Sequence, residues 1–149
     1  MPMHAPSMRD PIAMRRWCAA VARTLPVQHI TPHGQPYLDR YFLAGYSPYK
    51  WNQPSPQASL FLHHFLASDP QGEVHSHPWG WATSVILAGG YREHRCTGPS
   101  TVVETYGPGA INHLDPDTKH RVELLEADCW SLLLVGPWAQ AWTFFADCT

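Results

Sequence analysis

The chain has 149 residues, enough for one domain with a single core and too few for a second domain of ordinary size. Hydrophobic residues make up 44% and charged residues 15%, a low charge density that excludes disorder driven by charge. Ten Lys and Arg against twelve Asp and Glu give a formal net charge of −2, so there is no basic surface for phosphates and no nucleic-acid partner is expected.

In chain order, the first element is a helix over residues 10–24. Asp10 can cap it, Pro11 suits the first helical position, and Met14, Trp17, Cys18, Val21 and Leu25 recur at helical spacing. Pro26 ends that pattern, and the period then changes. Residues 37–43 (YLDRYFL) and 60–66 (LFLHHFL) read as strands separated by a Pro-rich loop, YSPYKWNQPSPQ. WATSVILA (81–88) runs into Gly89-Gly90 and YREHR, the signature of a hairpin. TVVETY, AINHL, KHRVELL, CWSLLLV and QAWTFF follow, punctuated by turns. Residues 1–25 are therefore an N-terminal extension with an amphipathic helix, and 26–149 an all-β domain, a small closed barrel or double-sheet jelly roll.

The four cysteines, Cys18, Cys96, Cys129 and Cys148, form no CxxC pair, so neither a zinc ribbon nor a dithiol motif is present and a reducing compartment is the simpler reading. The N-terminus has no unbroken apolar run and no stretch approaches membrane-spanning length. A cytoplasmic protein without membrane contact is expected.

Ten histidines in so flat a charge background point to imidazole chemistry. His75 and His77 in EVHSHPWGW share one face of an extended segment, because strand side chains alternate. In KHRVELL, His120 shares the apolar face with Val122 and Leu124, so His120 points inward. Three imidazoles converging in an apolar barrel would bind a divalent transition metal, Fe(II), Zn(II), Ni(II), Cu(II) or Mn(II), and leave positions open for water or substrate.

With these residues the sequence resembles the cupins, small double-stranded β-helix barrels carrying two short histidine motifs. Gly72, His75, His77, Pro78 and the strand ending at Gly89 match the first motif, and Gly107-Pro108-Gly109 followed by His120 the second. The likeness covers about residues 36–146 and, through the HxHPW…GGYxE run, extends to a cupin-like group of bacterial and phage proteins. Cupins commonly place a glutamate four or five residues after the second histidine, where this chain has Trp81-Ala82, so the three-His, one-Glu site does not carry over intact. Three-histidine sites of this kind resemble those of cupin thiol dioxygenases and diketone-cleaving dioxygenases. That resemblance favours ferrous iron and a small chelating substrate, although the thiol family's Cys–Tyr cross-link has no counterpart here.

If Gly89-Gly90 is a two-residue hairpin loop, Glu93 pairs with Ile86 and faces the interior, where it is a fourth ligand, a residue orienting an imidazole, or a general base. The competing reading is a solvated Glu93 beside Arg92 and Arg95. Only one of His63 and His64 can face inward; His64 is taken, with Glu93, as a candidate to tune a ligand or move a proton. Trp79, Trp81, Trp130 and Trp142 are candidate pocket walls, though tryptophans in a domain this size are more often core filling. Arg92, with Arg40 and Arg121, is a candidate for holding a substrate carboxylate.

The leading expectation is a mononuclear non-haem iron dioxygenase. A redox-neutral lyase, isomerase or hydrolase using the same metal, and a non-catalytic binding module, are the alternatives. A homodimer is expected, built on the apolar strand LLLV and the leading helix.

Overall fold

In the computed structural model, residues 4–45 and 55–149 are described, and the greater part of the Pro-rich loop lies outside them. The helix α1 (Pro11–Ala22) begins as its sequence requires: the Asp10 carboxylate accepts from the Ala13 amide at 3.0 Å, with proline at the start of the first turn. Eleven strands follow among the described residues: β1 (Val27–Ile30), β2 (Leu38–Ala44), β3 (Ser59–Phe65), β4 (Val74–His75), β5 (Ala82–Ala88), β6 (Tyr91–Thr97), β7 (Ser100–Tyr106), β8 (Ile111–Leu114), β9 (His120–Leu124), β10 (Cys129–Val135) and β11 (Phe144–Phe145). They form two antiparallel sheets, one in the order β1-β2-β3-β10-β5-β8 and the other β11-β4-β9-β6-β7. The protein is all-β with one N-terminal helix.

The larger sheet is covered on both faces where α1 lies across it. On its outer face Met14, Cys18 and Ala22 of α1 pack against Leu62, Leu87, Ala88 and Trp130. Its inner face contributes Phe42, Phe61, Ala82, Leu133 and Val135 to one core cluster and Ile86 and Cys129 to another, the latter shared with Tyr91 and Val122 of the opposite sheet. Each fully buried aliphatic or aromatic side chain contributes roughly 1.5–3 kcal/mol relative to exposure, which is why α1 lies flat on the sheet.

Gly89-Gly90 does not close a hairpin. β5 pairs with β10 and β8, and β6 with β7 and β9, so the two glycines turn the chain from one sheet into the other. Both adopt positive φ, +78° and +140°, and added Cβ atoms would lie 2.3 Å from the Asp128 carbonyl oxygen and 2.5 Å from that of Tyr106. Only glycine fits such a corner.

The elements expected at a dimer interface are used within the chain: the LLLV strand is the central β10, between β3 and β5, and α1 covers its own barrel. Cys96 on β6 and Cys148 are joined by a disulfide across 52 residues of sequence, while Cys18 and Cys129 are free and buried. Disulfides belong mainly to oxidising compartments, so cysteine spacing no longer supports the reducing, cytoplasmic reading. No helix among the described residues is long and apolar enough to cross a membrane.

Candidate metal centre

β4 and β9 pair in a register that sets His75 directly opposite His120. His77 lies two residues beyond His75, on the same face. Ring centroids are 4.8 Å apart for His75 and His77, 4.8 Å for His75 and His120, and 4.9 Å for His77 and His120. The planes meet at 81°, 68° and 78°, so the three rings surround a common point rather than stack. One ligand-type nitrogen from each lies within 4.8 Å of the others.

Two of the rings are backed by carboxylates. His120 Nδ1 donates to Glu93 Oε2 at 2.7 Å, which leaves Nε2 with the lone pair. Glu93, 1% exposed, also accepts from Asn112 Nδ2 at 2.6 Å and from Arg95 Nε at 2.8 Å. Burial alone would raise its carboxyl, but the bonds from His120 and Arg95 prevail and hold it down at about 2, so it is ionised. Behind His75, Asp69 Oδ2 stands 3.7 Å from Nδ1. Asp69 is itself fixed by the Tyr37 hydroxyl and by the Val122 amide at 2.6 Å, and burial raises its carboxyl despite those bonds.

Desolvation, with the neighbouring His120, pushes the His75 imidazole down to about 3 and His77 well below its ordinary value. Both are neutral, the form a metal requires. His77 Nδ1 is buried with no hydrogen-bond partner among the described residues, a cost that an ion would remove. Three converging imidazoles, two of them neutral, an orphaned ring nitrogen and carboxylates behind the rings fit a divalent transition metal.

The rings open into a cavity of about 50 Å³, lined also by Arg40, His63, Trp79, Leu133 and Trp142. It has room for only a few water-sized groups. Arg40, 7% exposed, donates from Nε to His63 Nε2 at 3.0 Å and lies over the Phe61 and Trp79 rings. Burial, then the Arg40 charge, lowers the His63 imidazole well below its usual value, so His63 is neutral and carries its proton on Nδ1.

Four sequence-based candidates lie elsewhere. His64 faces the helix side of its sheet, stacked on Trp130 at 3.8 Å and bonded to Asp128 at 2.8 Å. Trp130 packs beneath α1. Trp81 is 42% exposed and lies over Gly136, where a Cβ would be 2.3 Å from the indole nitrogen. Arg92 points outward to Glu123 at 3.1 Å. On β3, β10 and β6, strand alternation sends His64, Trp130 and Arg92 away from the cavity. Trp79 and Trp142 do line it. Glu93 is buried against His120 rather than solvated, although through β6–β9 pairing and not through Ile86. Asp69, Tyr37 and Asn112 carry no sequence signal beyond the inward alternation of Asn112 with Leu114.

No protein-family model matches the chain, and no curated protein matches it. Solved structures do. Fe(II)-HppE with the alternative substrate (S)-1-HPP superposes with a TM-score of 0.58 at 10% identity, over 76% of this chain and 57% of that one. Hydroxypropylphosphonic acid epoxidase from S. wedmorenis gives 0.56 at 11%, over 76% and 56%. This chain thus spans little more than half the length of those proteins. Streptomyces Pac13 with uridine gives 0.57 at 10%, over 86% and 90%, and Pac13 is described as a nucleoside dehydratase. The fold is a cupin-like jelly roll. Within it, three histidines stand close enough together to hold a metal ion.

Proposed function

We propose that the chain is a mononuclear metal enzyme, in first place a non-haem iron dioxygenase acting on a small chelating substrate. The observation that carries this reading is the inward-facing triad of His75, His77 and His120 at a small cavity between the sheets, with Glu93 bonded to the outer nitrogen of His120. Those three residues would hold the ion. A divalent metal with only neutral protein ligands keeps its full charge, favours anionic chelators, and with iron supplies dioxygen chemistry.

The remaining parts are the chain's own. Glu93 keeps the His120 proton on Nδ1 and so keeps Nε2 directed at the ion site. Arg40, buried beside the triad, supplies a fixed positive charge for the anionic end of a substrate. The neutral His63 offers an N–H donor in the same cavity. Trp79, Leu114, Val122 and Leu133 exclude bulk water. The iron in HppE is consistent with the first reading.

A redox-neutral reaction is the second reading. It is favoured by the His63–Arg40 pair, which places a hydrogen-bond donor beside a fixed charge, and by the dehydratase described for Pac13. Metal analysis of untagged protein, then anaerobic loading with ferrous iron and oxygen-uptake measurements with acetylacetone, cysteine and 2-oxo acids, separates the two. Oxygen consumption dependent on a chelator supports the dioxygenase. Full loading without uptake, but with turnover under nitrogen, supports the second reading, and failure to bind any metal overturns both.

A further inference from the structure

Beside the small inner cavity lies a second, larger one of about 400 Å³, whose lining includes Ile30, Pro32, Pro70, Glu73, Trp142 and Phe144. Ile30 of β1 and Phe144 of β11, edge strands of the two sheets, both line it. Tyr37, His75 and Trp142 line both spaces, so the two share a wall that includes one histidine of the triad.

That wall is aromatic. The Trp142 ring lies 6.0 Å from His75 at an interplanar angle of 29° and 6.1 Å from Phe144 at 28°, and Phe144 lies 6.1 Å from His75 at 54°. The three rings form one cluster that joins the triad to Phe144, which is 60% exposed. Opposite lie the aliphatic Ile30 and the rings of Pro32 and Pro70. The charged groups at the pocket are both carboxylates. Asp69 is committed to Tyr37 and Val122, whereas Glu73 forms no ion pair among the described residues. A volume of several hundred Å³ with apolar walls and few polar groups is what small organic ligands occupy, and flat rings stack best on flat rings.

We propose that this second pocket binds a planar aromatic ring bearing a hydrogen-bond donor, phenolic or N-heterocyclic, with its donor on Glu73 and its face on Trp142 and Phe144. The pocket deepens the reading above by naming a substrate class. Only the direction of the ligand's other end, toward His75, rests on that reading; binding in the pocket does not.

Metal-free protein therefore provides the test, with Zn(II) binding measured separately. The probes are 2-naphthol, its anionic analogue 2-naphthoate, and the non-planar cyclohexylmethanol, followed by calorimetry and by the Trp142 indole N–H resonance. 2-Naphthol should bind one to one, shift that resonance, and bind at least about tenfold more tightly than either comparison compound. Phe144→Ser and Ile30→Ser, at the rim and opposite wall, should each weaken binding by about fivefold or more with unchanged melting temperature. Glu73→Gln should narrow the gap to 2-naphthoate. Absence of naphthol binding, equal binding of 2-naphthoate to the unaltered protein, or wild-type affinity in both rim variants would overturn the proposal, whatever the Zn(II) titration gives.

Discussion

Glu93 and His120 stand on neighbouring strands, β6 and β9, Glu93 opposite Val122 and His120 opposite Arg95, and are joined by a 2.7 Å hydrogen bond from imidazole to carboxylate. Because Arg95 and Asn112 hold the same carboxylate from its other sides, its position is fixed before any ion arrives. Glu93→Gln should keep the fold and weaken Zn(II) binding by about 10–100-fold, the usual effect of removing a partner behind a ligating imidazole. A chelator competition titration measures this. Unchanged affinity would reduce Glu93 to a structural role.

His120→Ala should abolish stoichiometric metal binding. His64→Ala and His4→Ala should not, since His64 is turned toward α1 and His4 lies in the exposed N-terminal segment. Metal content after desalting reads the outcome. Equal retention in all three proteins would dismiss the triad, and loss in the His64 variant would contradict its placement.

How far this site was legible follows from which faces are covered. β4 and β9 belong to a sheet with one apolar interior, so alternation alone aimed His75, His77 and His120 inward. β3 and β10 are buried on both faces, by the cavity and by α1, and there alternation loses its meaning. LFLHHFL does not reveal that His63 rather than His64 faces the cavity, nor CWSLLLV that Trp130 faces the helix. The glycine pair reads as a turn between paired strands because local sequence carries no record of which sheet the next strand joins. Glu93 nevertheless faces inward, since its parity along β6 is independent of its partner. β1 and the Asp69 loop leave no such trace: four residues and an aperiodic turn give a periodicity argument nothing to count.

Asp128 ties α1 to the barrel through Arg15 Nε at 2.9 Å and His64 Nε2 at 2.8 Å. Partial burial raises its carboxyl, but those two bonds outweigh it and hold it below the ordinary 3.8. A carboxylate whose folded value is depressed contributes stability above its unfolded value and loses it as pH falls toward the folded one. Asp128→Asn should therefore cost about 1 kcal/mol at neutral pH, the modest figure reflecting its partial exposure. The two proteins should converge in stability below about pH 4. Urea unfolding across pH 3–7 tests this, and a constant difference down to the acid end would remove the carboxylate's charge from the account.

The Cys96–Cys148 disulfide closes a loop across 52 residues of sequence and pins the C-terminal tail onto β6, where Cys96 pairs with Thr101 of β7. Cross-linking a loop of that length restricts the unfolded chain by about 4 kcal/mol in the entropic model, and measured effects run from about zero to five. Cys148→Ser should lower unfolding free energy by about 2–4 kcal/mol while leaving Zn(II) stoichiometry intact, because the tail beyond Phe145 supplies no triad residue. Thiol titration of denatured protein gives a second reading: two reactive thiols, Cys18 and Cys129, before reduction and four after it. Four thiols without reductant would show that the bond does not form in the expressed protein, and the stability difference should then vanish with it.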